Sequence, residues 1–403
     1  MACAQDVPGV VWGTMPATVI VTEQGAARLR GGNPWVFAGD VLQAPPQAEG
    51  DVVLVRDRAK KLLGTALYAE GAQLPIRLIG RGEVTFDAKL IRERLEQALA
   101  RRTRVFAGAD AFRVVHGEAD LLPGLIVDRY QDVAVIQTAA RAMDARQPQI
   151  ATLVREVLGA RLVVARNDGS ARDFEGLPRD KGILCGDGPT TVAYHDAQNR
   201  FEVDVLTDGK TGGFLDQAEN HARAAGYATG DALDAFTYHG GFALALARGG
   251  ARSVLALDEA APAVERARAN AQRNQLAQVT VQQANAFDAL RSLEAEGRRF
   301  DVVVIDPPAL AKRKSALRGA ERAYKELNLR GLRLCKPGGV LITCSCSGKL
   351  TPQRFGELLE DAARDVGRPV QLLERCGAGR DHPPLVGVPE TDYLKCWFLR
   401  VLD

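Results

Sequence analysis

The sequence predicts an α/β protein whose C-terminal half is a doubly wound parallel sheet. A unit of strand, glycine turn, helix and strand runs from Ala232 to Asp258. Apolar runs alternate with helical stretches after it, which is typical of parallel strands joined by right-handed crossovers. Before about residue 196 the runs are mostly short, β-like and broken by Gly and Pro, which indicates smaller domains of another kind.

Length and composition exclude several classes of protein. At 403 residues, two or three domains are expected. Basic and acidic residues nearly balance, 52 against 50, which excludes a strongly basic tail protein but allows a local basic surface. Seven cysteines without a C-x-x-C pair argue against a disulfide framework or a zinc site, so no metal is expected. No apolar run reaches roughly 18 residues and no secretory signal is recognisable, so the cytoplasm is the predicted compartment, without a membrane.

The changes in pattern along the chain predict three domains. Residues 1–86 have the short strands and frequent turns of a compact β-barrel, with 1–14 as a flexible extension. Residues 87–195 begin with a helix, continue with strands and include a second helix, which indicates an α+β domain. Residues 196–403 form the predicted Rossmann-like domain.

Seven strands are expected in the C-terminal domain. Helices separate the earlier strands, whereas a short Gly- and Pro-rich link joins the last two, which are expected to pair as an antiparallel edge. A seven-stranded sheet with this ending is the pattern of S-adenosylmethionine-dependent methyltransferases. The expected strands are 232–236, 253–258, 279–285, 300–306, 338–346, 369–376 and 393–402, and the expected helices are 262–274, 286–296 and 317–335.

The glycine turn predicts a nucleoside-bearing cofactor. Gly240 and Gly241 let a ligand approach the backbone at the start of a helix. Asp258, at the tip of the next strand, suits a ribose diol, although it could instead cap the following helix. The turn lacks the three glycines of a dinucleotide fingerprint, and no P-loop sequence occurs. A cofactor with adenosine but no pyrophosphate fits better, and S-adenosylmethionine is the common one; a turn in another α/β enzyme is the alternative.

Polar side chains also lie at or near the ends of other predicted strands. Ligands of open sheets bind at the carboxyl ends of the strands. Asp234 and Asp306 lie at or near such ends. Asn285 and Phe287 follow the third strand, so they are candidates for reading the edge and the face of an adenine.

Two runs carry candidate chemistry. VVVIDPPAL (Val302–Leu310) presents Asp306 and two prolines, which make a stiff corner of carbonyl groups suited to a flat base; a simple strand end is the alternative. LITCSCSGKL (Leu341–Leu350) places Cys344 and Cys346 on one side of the next strand tip. A thiolate can add to C6 of a pyrimidine and make C5 nucleophilic toward a methyl group, whereas buried cysteines are usually small hydrophobic residues.

Basic and aromatic residues indicate contacts with RNA at two places. Arg28 and Arg30, together with Trp35 and Phe37, could bind RNA through phosphate contacts and stacking, although Trp35 could instead be core. The segment 311–328 is basic and follows the proline pair, and a solvated helical face is the alternative. The basic residues nearest the prolines are Lys312 and Arg313.

Taken together, these motifs resemble one family. The sequence is similar to the bacterial large-subunit ribosomal RNA (cytosine-5-)-methyltransferases that carry an N-terminal PUA domain, from about residue 22 to residue 402. The motifs that occur in the family's order are GGNPWVF, HGEADLLPGLIVDRY, KTGGFLDQ, DAFTYHGGFALALA, DPPAL, YKELN, TCSCSG and DHPPLVGVPETDYLK. The resemblance implies a PUA barrel, a middle α+β domain, a Rossmann-like catalytic domain, and methyl transfer from S-adenosylmethionine to C5 of a cytosine in 23S rRNA. The expected partner is 23S rRNA or a large-subunit precursor, and a homodimer is one expected oligomeric state.

The resemblance also implies roles for individual residues. Cys346 becomes the expected nucleophile, with Cys344 as the alternative, and Asp306 would steady the cytosine near N3. Tyr324 of YKELN joins the expected RNA contacts. The expected cofactor-binding residues are Gln217, Asp234, Phe236, Tyr238, Gly240, Asp258, Asn285, Phe287 and Asp306.

This chain departs from the family pattern at a few positions. His239 stands where Thr or another small residue is more common, and Asn285 stands where Asp is usual. No cysteine follows the proline pair, so the base that removes the C5 proton has no assignment. Two alternatives stay open: guanine N7 methylation on the same scaffold, which needs no cysteine, and a cofactor-binding RNA assembly factor without catalysis.

Overall fold

The computed structural model describes residues 16–45, 52–310 and 316–402, so the 1–14 extension, Lys312 and Arg313 lie outside the described residues. The chain divides into two compact units. The first unit comprises Met1–Ala193, Val203–Gly213 and Asp381–Val388, and the second comprises Tyr194–Glu202, Phe214–Arg380 and Pro389–Asp403. The domain boundaries at residues 86/87 and 195/196 stay predictions.

The first unit begins with a six-stranded sheet. Its elements are β1 (Ala17–Val21), α1 (Glu23–Arg30), β2 (Trp35–Val36), β3 (Val41–Gln43), β4 (Val52–Arg56), β5 (Leu62–Tyr68) and β6 (Ile76–Gly80). The strand order is β2-β6-β5-β4-β1-β3, and β1 runs parallel to β4. Helix α1 was not predicted; Thr22 caps it by accepting a hydrogen bond from Gly25 N, and Ala26 and Leu29 are buried in the core.

A five-stranded sheet follows in the same unit, ordered β11-β10-β9-β8-β7. Its elements are α2 (Ala88–Val105), β7 (Ala111–His116), β8 (Leu125–Tyr130), β9 (Val133–Thr138), α3 (Arg141–Asp144), α4 (Gln147–Leu158), β10 (Leu162–Asn167) and β11 (Asp180–Gly186). Helices α2 and α4 bury Ile91, Leu95, Ile150 and Val154 in one apolar cluster. A hairpin of β12 (Thr191–Asp196) and β13 (Asn199–Asp204) comes next.

The second unit holds the predicted seven-stranded sheet, ordered β16-β15-β14-β17-β18-β20-β19. Its strands are β14 (Asp231–Asp234), β15 (Ser253–Asp258), β16 (Val279–Gln283), β17 (Phe300–Ile305), β18 (Cys335–Ser345), β19 (Val370–Cys376) and β20 (Lys395–Val401). Its helices are α5 (Ala218–Ala225), α6 (Gly241–Arg248), α7 (Ala261–Arg273), α8 (Ala286–Ala295), α9 (Leu317–Leu334) and α10 (Pro352–Val366). Strands β14 to β18 are parallel, and β20 is antiparallel to β18 and β19, which confirms the predicted fold class.

The strand order brings the polar strand ends together at one edge of the sheet. Val302–Ile305 of β17 are fully buried, as a central parallel strand requires. Asp234 is level with Val304 of β17, and Ile305 is level with Thr343 of β18. The carboxyl ends of β14, β15, β17 and β18 are therefore neighbours. Within the described part of the chain, no helix is both long and apolar enough to span a bilayer.

Candidate active site

A single buried carboxylate holds the turn that follows β14. Asp234 Oδ2 accepts hydrogen bonds from Thr237 Oγ1 at 2.8 Å and from Ala243 N at 3.1 Å, which ties the turn to the start of α6. Burial raises the pKa of Asp234 to about 7, and the nearby Asp306 contributes to the rise. Among the described residues, its Oδ1 is buried with no hydrogen-bond partner, so one acceptor remains for a ligand.

Two glycines in this turn leave no room for a side chain. Gly240 has a left-handed φ of +95°, and a Cβ there would lie 2.5 Å from Leu244 Cδ1. A Cβ on Gly241 would lie 2.4 Å from Cε1 of the His221 ring. The ring of His221 therefore packs directly against the backbone at the first residue of α6, and this is why that residue has no side chain.

His221 is a buried residue that the sequence did not single out. Its Nδ1 lies 2.6 Å from Asp196 Oδ2, and its ring meets Phe242 edge-on at 4.6 Å between centroids. Burial opposes its charge, but Asp196, with Asp306 and Asp234 nearby, raises the pKa of His221 overall. The pair supports the glycine turn from behind. A histidine in a polar segment gives no sequence signal for such a partner.

Asp258 closes the turn from the neighbouring strand. Its Oδ2 accepts a hydrogen bond from Tyr238 N at 2.9 Å, and its Oδ1 accepts one from Ala260 N at 2.9 Å. Tyr238 has a left-handed φ of +49°, and its ring meets Phe214 edge-on at 4.7 Å. Asp258 thus fixes both the turn and the entry to α7, while its half-buried side chain remains accessible to a ligand.

Asn285 is the N-cap of α8. Its Oδ1 accepts hydrogen bonds from Phe287 N at 3.0 Å and from Asp288 N at 3.4 Å. Because that oxygen serves the helix, the Nδ2 amide group is the part of this exposed side chain that is left for a ligand. Phe287 is half-buried and packs against the core of the second unit, and Phe236, after β14, packs in the same way.

A chain of amides leads to Asp306 at the end of β17. Gln217 Nε2 donates a hydrogen bond to Asp306 Oδ2 at 2.9 Å. Asn220 Nδ2 donates to Gln217 Oε1 at 2.6 Å and to the Gly377 carbonyl at 2.9 Å. Since the amide of Gln217 is oriented by Asn220, the carboxylate of Asp306 is held in one position. Asn220 was not predicted.

The two cysteines of the C-S-C run have different surroundings. Cys344 is fully buried, and it lies level with Cys396 of β20, which in turn lies level with Cys376 of β19. Burial raises the pKa of the Cys344 thiol well above its usual range, and contacts with Cys396 and the charge of Asp306 raise it further. Among residues 16–45, 52–310 and 316–402, no cluster of His, Cys, Asp and Glu is placed to hold a metal ion.

Cys346 follows the end of β18 and is only half-buried. Its Sγ–H group donates to the Pro307 carbonyl at 3.9 Å, directly beside Asp306. The next residue, Ser347, is held by Tyr324, whose hydroxyl lies 3.0 Å from Ser347 Oγ. Tyr324 itself is 1% exposed and packs in the core, where it has no open surface for RNA; it supports the cysteine loop instead.

The side chains expected to contact RNA in the first unit take part in several interactions. Arg28 Nη1 lies 2.8 Å from Asp40 Oδ2, and its guanidinium lies 4.8 Å above the centre of the Phe37 ring. Arg30 pairs with Glu23 and Asp57. Trp35 is half-buried, and its Nε1 donates to Glu118 Oε1 at 3.0 Å. Phe37, which belongs to the same predicted cluster, is 41% exposed and is the more accessible aromatic ring.

The residues at this edge fit S-adenosylmethionine. The glycine turn leads directly into α6 at this edge, and the buried Oδ1 of Asp234 lacks a partner within the described chain. Asp258 offers an accessible carboxylate at the next strand end, which suits a ribose diol. Asn285 and Phe287 offer an amide and a ring at the third strand end. These groups lie at or just after the carboxyl ends of the neighbouring strands β14, β15 and β16, where ligands of open sheets bind.

Comparison with known proteins agrees with this fit. A family model described as a PUA-like domain matches residues 19–81, and one described as an S-adenosylmethionine-dependent methyltransferase matches residues 180–395. A ribosomal RNA large subunit methyltransferase I from Alteromonas mediterranea is 34% identical, over 96% of this chain and 100% of the relative. A protein of the same name from Tolumonas auensis is 33% identical, over 96% of this chain and 100% of the relative. Another from Yersinia pestis is also 33% identical, over 92% of this chain and 96% of the relative.

Solved structures agree on the fold. A candidate SAM-dependent methyltransferase from Streptococcus mutans has a TM-score of 0.82 at 20% identity, over 96% of this chain and 100% of that one. A candidate methyltransferase complexed with SAH has a TM-score of 0.84 at 20% identity, with the same coverage. With the matching domains and the near full-length relatives, the chain belongs to the ribosomal RNA large subunit methyltransferase I family and is an S-adenosylmethionine-dependent methyltransferase with an N-terminal PUA-like domain.

Proposed function

We propose that this enzyme methylates C5 of a cytosine in 23S rRNA through a covalent bond to Cys346. The relatives' name points to large-subunit ribosomal RNA as the substrate. The observation that carries the proposal is the position of the Cys346 sulfur, 3.9 Å from the carbonyl of Pro307, the residue that follows Asp306 in the chain. A nucleophile and a rigid carbonyl corner at adjoining strand ends suit a flat pyrimidine.

Burial favours Cys346 over Cys344 as the nucleophile. The thiolate is the reactive form, and apolar surroundings suppress it. Cys344 has no exposed surface and a raised pKa, so its sulfur neither ionises readily nor reaches a base. Cys346 is half-buried at the mouth of the strand ends, where a substrate ring can approach it.

The chain's own residues divide the work as follows. When bound, S-adenosylmethionine supplies an electrophilic methyl group. The Cys346 thiolate forms a bond to C6 of the cytosine, and the displaced π electrons make C5 nucleophilic. Asp306, fixed by Gln217, steadies the ring near N3. After C5 has gained its methyl group and lost its proton, the S–C6 bond breaks and the thiolate is restored.

The RNA contacts belong to the same proposal. The target base must leave its stack to reach a sulfur at a strand end. Arg28 beside the exposed Phe37 ring offers a cation and a stacking surface in the PUA-like domain. Lys312 and Arg313 stay predicted contacts, and Tyr324 acts on the cysteine loop rather than on RNA. Cytoplasmic location and a homodimer also stay predictions, the latter open to light scattering.

Separate replacement of the two cysteines tests the reaction. Cys346→Ala is expected to abolish methyl transfer to unmodified 23S rRNA, whereas Cys344→Ala retains it, because only Cys346 bonds to the base. RNA that carries 5-fluorocytidine at the target should trap the parent enzyme covalently, because the C5 fluorine cannot leave as the proton does. Full activity of Cys346→Ala would show that the covalent route is wrong, and methylated guanine in the product would favour the N7 reaction. If the parent protein incorporated no methyl group into unmodified 23S rRNA, a non-catalytic assembly factor would be favoured.

A further inference from the structure

We propose that Lys395 is a positioning residue that makes the Cys346 thiol ionise more readily, by placing a buried ammonium group on the carbonyl of the next residue, Ser347. This inference rests on the proposed function, because it gives Cys346 the reactive state that the covalent step needs. Lys395 begins β20 and is 2% exposed, which is rare for a lysine.

Lys395 lies close to both residues that flank Cys346 in the chain. Lys395 is level with Ser345 in the antiparallel pairing of β18 and β20, one residue before Cys346. Its Nζ donates a hydrogen bond to the Ser347 carbonyl at 2.9 Å, one residue after Cys346. A second hydrogen bond of 2.9 Å goes to the Tyr393 carbonyl. Two carbonyls therefore fix the ammonium group, and one of them belongs to the residue that follows Cys346.

The electrostatic surroundings fit this role. Burial lowers the pKa of Lys395 to about 8, while Cys346 and Asp392 act in the opposite direction. Lys395 is therefore still largely charged at pH 7, and its interaction with Cys346 favours the charged pair. The Tyr324 hydroxyl also interacts with Cys346, and the Pro307 carbonyl accepts its S–H bond. Of the groups named here, Lys395 is the one that favours a negative sulfur.

The reactivity of the Cys346 thiol tests the inference without RNA or methyl donor. The probe is iodoacetamide at pH 7, and alkylation of Cys346 is followed by peptide mass spectrometry. Lys395→Met and Lys395→Gln are both expected to slow alkylation on the order of tenfold, the change that one pKa unit produces. Lys395→Gln keeps N–H donors for the two carbonyls, so a role in hydrogen bonding alone would leave its rate at the parent value.

A matched control and a second measurement keep the test decisive. Lys349→Met removes an exposed lysine three residues from Cys346 and should leave the rate unchanged, because solvent screens that charge. Cys185, in the first unit, serves as the reference thiol in every digest. A parent rate for Cys346 in Lys395→Gln would overturn the inference, whatever the rate in Lys395→Met.

The parent protein alone gives a further check if the variants do not fold. The pH profile of Cys346 alkylation should have a midpoint below about 8.5, the ordinary cysteine value, and a midpoint at or above it would overturn the inference. The two proposals can fail separately. If Cys346→Ala keeps methyl transfer while alkylation still depends on Lys395, the covalent reaction is wrong and the lysine assignment stands.

Discussion

Asp234 shows how burial at a strand end changes the ionisation of a single carboxyl group. Its carboxylate is fully buried, accepts two hydrogen bonds through one oxygen, and lies near a second acid, Asp306. The ionised form is costly in such surroundings, so the group keeps its proton to about pH 7. Within the described part of the chain, the buried Oδ1 has no hydrogen-bond partner, and burying such an oxygen costs free energy. A hydrogen-bond donor on the cofactor would remove that cost.

This arrangement predicts how the stability of Asp234→Asn depends on pH. The pKa rises from 3.8 in the unfolded chain to about 7 in the fold, so the folded parent binds the extra proton and loses stability as the pH rises between these values. The amide cannot ionise and escapes that loss, which is about 4 kcal/mol at most. In urea unfolding from pH 4.5 to 8, the variant should gain on the parent up to about pH 7 and then stay level. A constant difference across the range would show that Asp234 is ionised throughout.

Single residues also set the limit of what the sequence reveals. The positions of Asp258, Asp306 and Cys346 at strand ends were predictable because each comes at the end of an apolar run, whereas their roles stay predictions. The burial of Lys395 was not predictable, because it depends on pairing with β18, fifty residues away in the chain. The burial of Tyr324 was missed for a related reason, since a tyrosine within a polar helix gives no sign of which neighbour packs over it.

At the scale of elements, the buried strands were easier to predict than the helices that cover them. Strands β14 to β18 each lie within a few residues of their predicted bounds, and the central strand β17 contains a continuous buried apolar run. Helix α10 was missed although Thr351 caps it and Pro352 begins it, because its sequence is polar with a narrow buried side. Helix α5 was missed because it lies in a glycine-rich polar stretch.

The start of α6 provides a test at this scale. Gly241→Ala places a methyl group 2.4 Å from the His221 ring, so either the ring or the helix must move. We expect a loss of about 1–3 kcal/mol in the free energy of unfolding, as overpacking usually costs, together with weaker cofactor binding because the turn is displaced. Chemical unfolding and calorimetric titration with S-adenosylhomocysteine measure the two effects.

Gly319→Ala is the matched control for that substitution. Gly319 lies inside α9, and a Cβ there would have no heavy atom within 4 Å. The same change should therefore stabilise the protein by about 0.5–1 kcal/mol, because alanine restricts the unfolded chain. Equal stability of the two alanine variants would mean that His221 yields without cost.

At the scale of the whole molecule, several motifs of the resemblance serve to assemble the first unit. Arg113 pairs with the buried Asp128, and Thr211 Oγ1 donates to the same carboxylate at 2.7 Å. Asp381 accepts a hydrogen bond from Arg113 N at 2.9 Å and lies 2.8 Å from His382 Nδ1. Two distant chain segments, 203–213 and 381–388, thereby join this unit. The predicted domain 196–403 includes both segments, because side-chain pairing between distant segments leaves no pattern in the local sequence.

Cofactor binding should therefore act on the second unit, which contains every predicted cofactor-binding residue. A ligand that binds the folded state stabilises it by about 2.7 kcal/mol at a hundredfold excess over Kd. With S-adenosylhomocysteine at that excess, amide hydrogen exchange should slow most at the ends of β14, β15 and β16 and in the turns after them, where Gly240, Asp258 and Asn285 lie. Amides of β7 to β10 in the first unit should exchange at the same rate with and without ligand. Stronger protection in β7 to β10 than at these turns would place the cofactor elsewhere and remove the basis for the glycine-turn site.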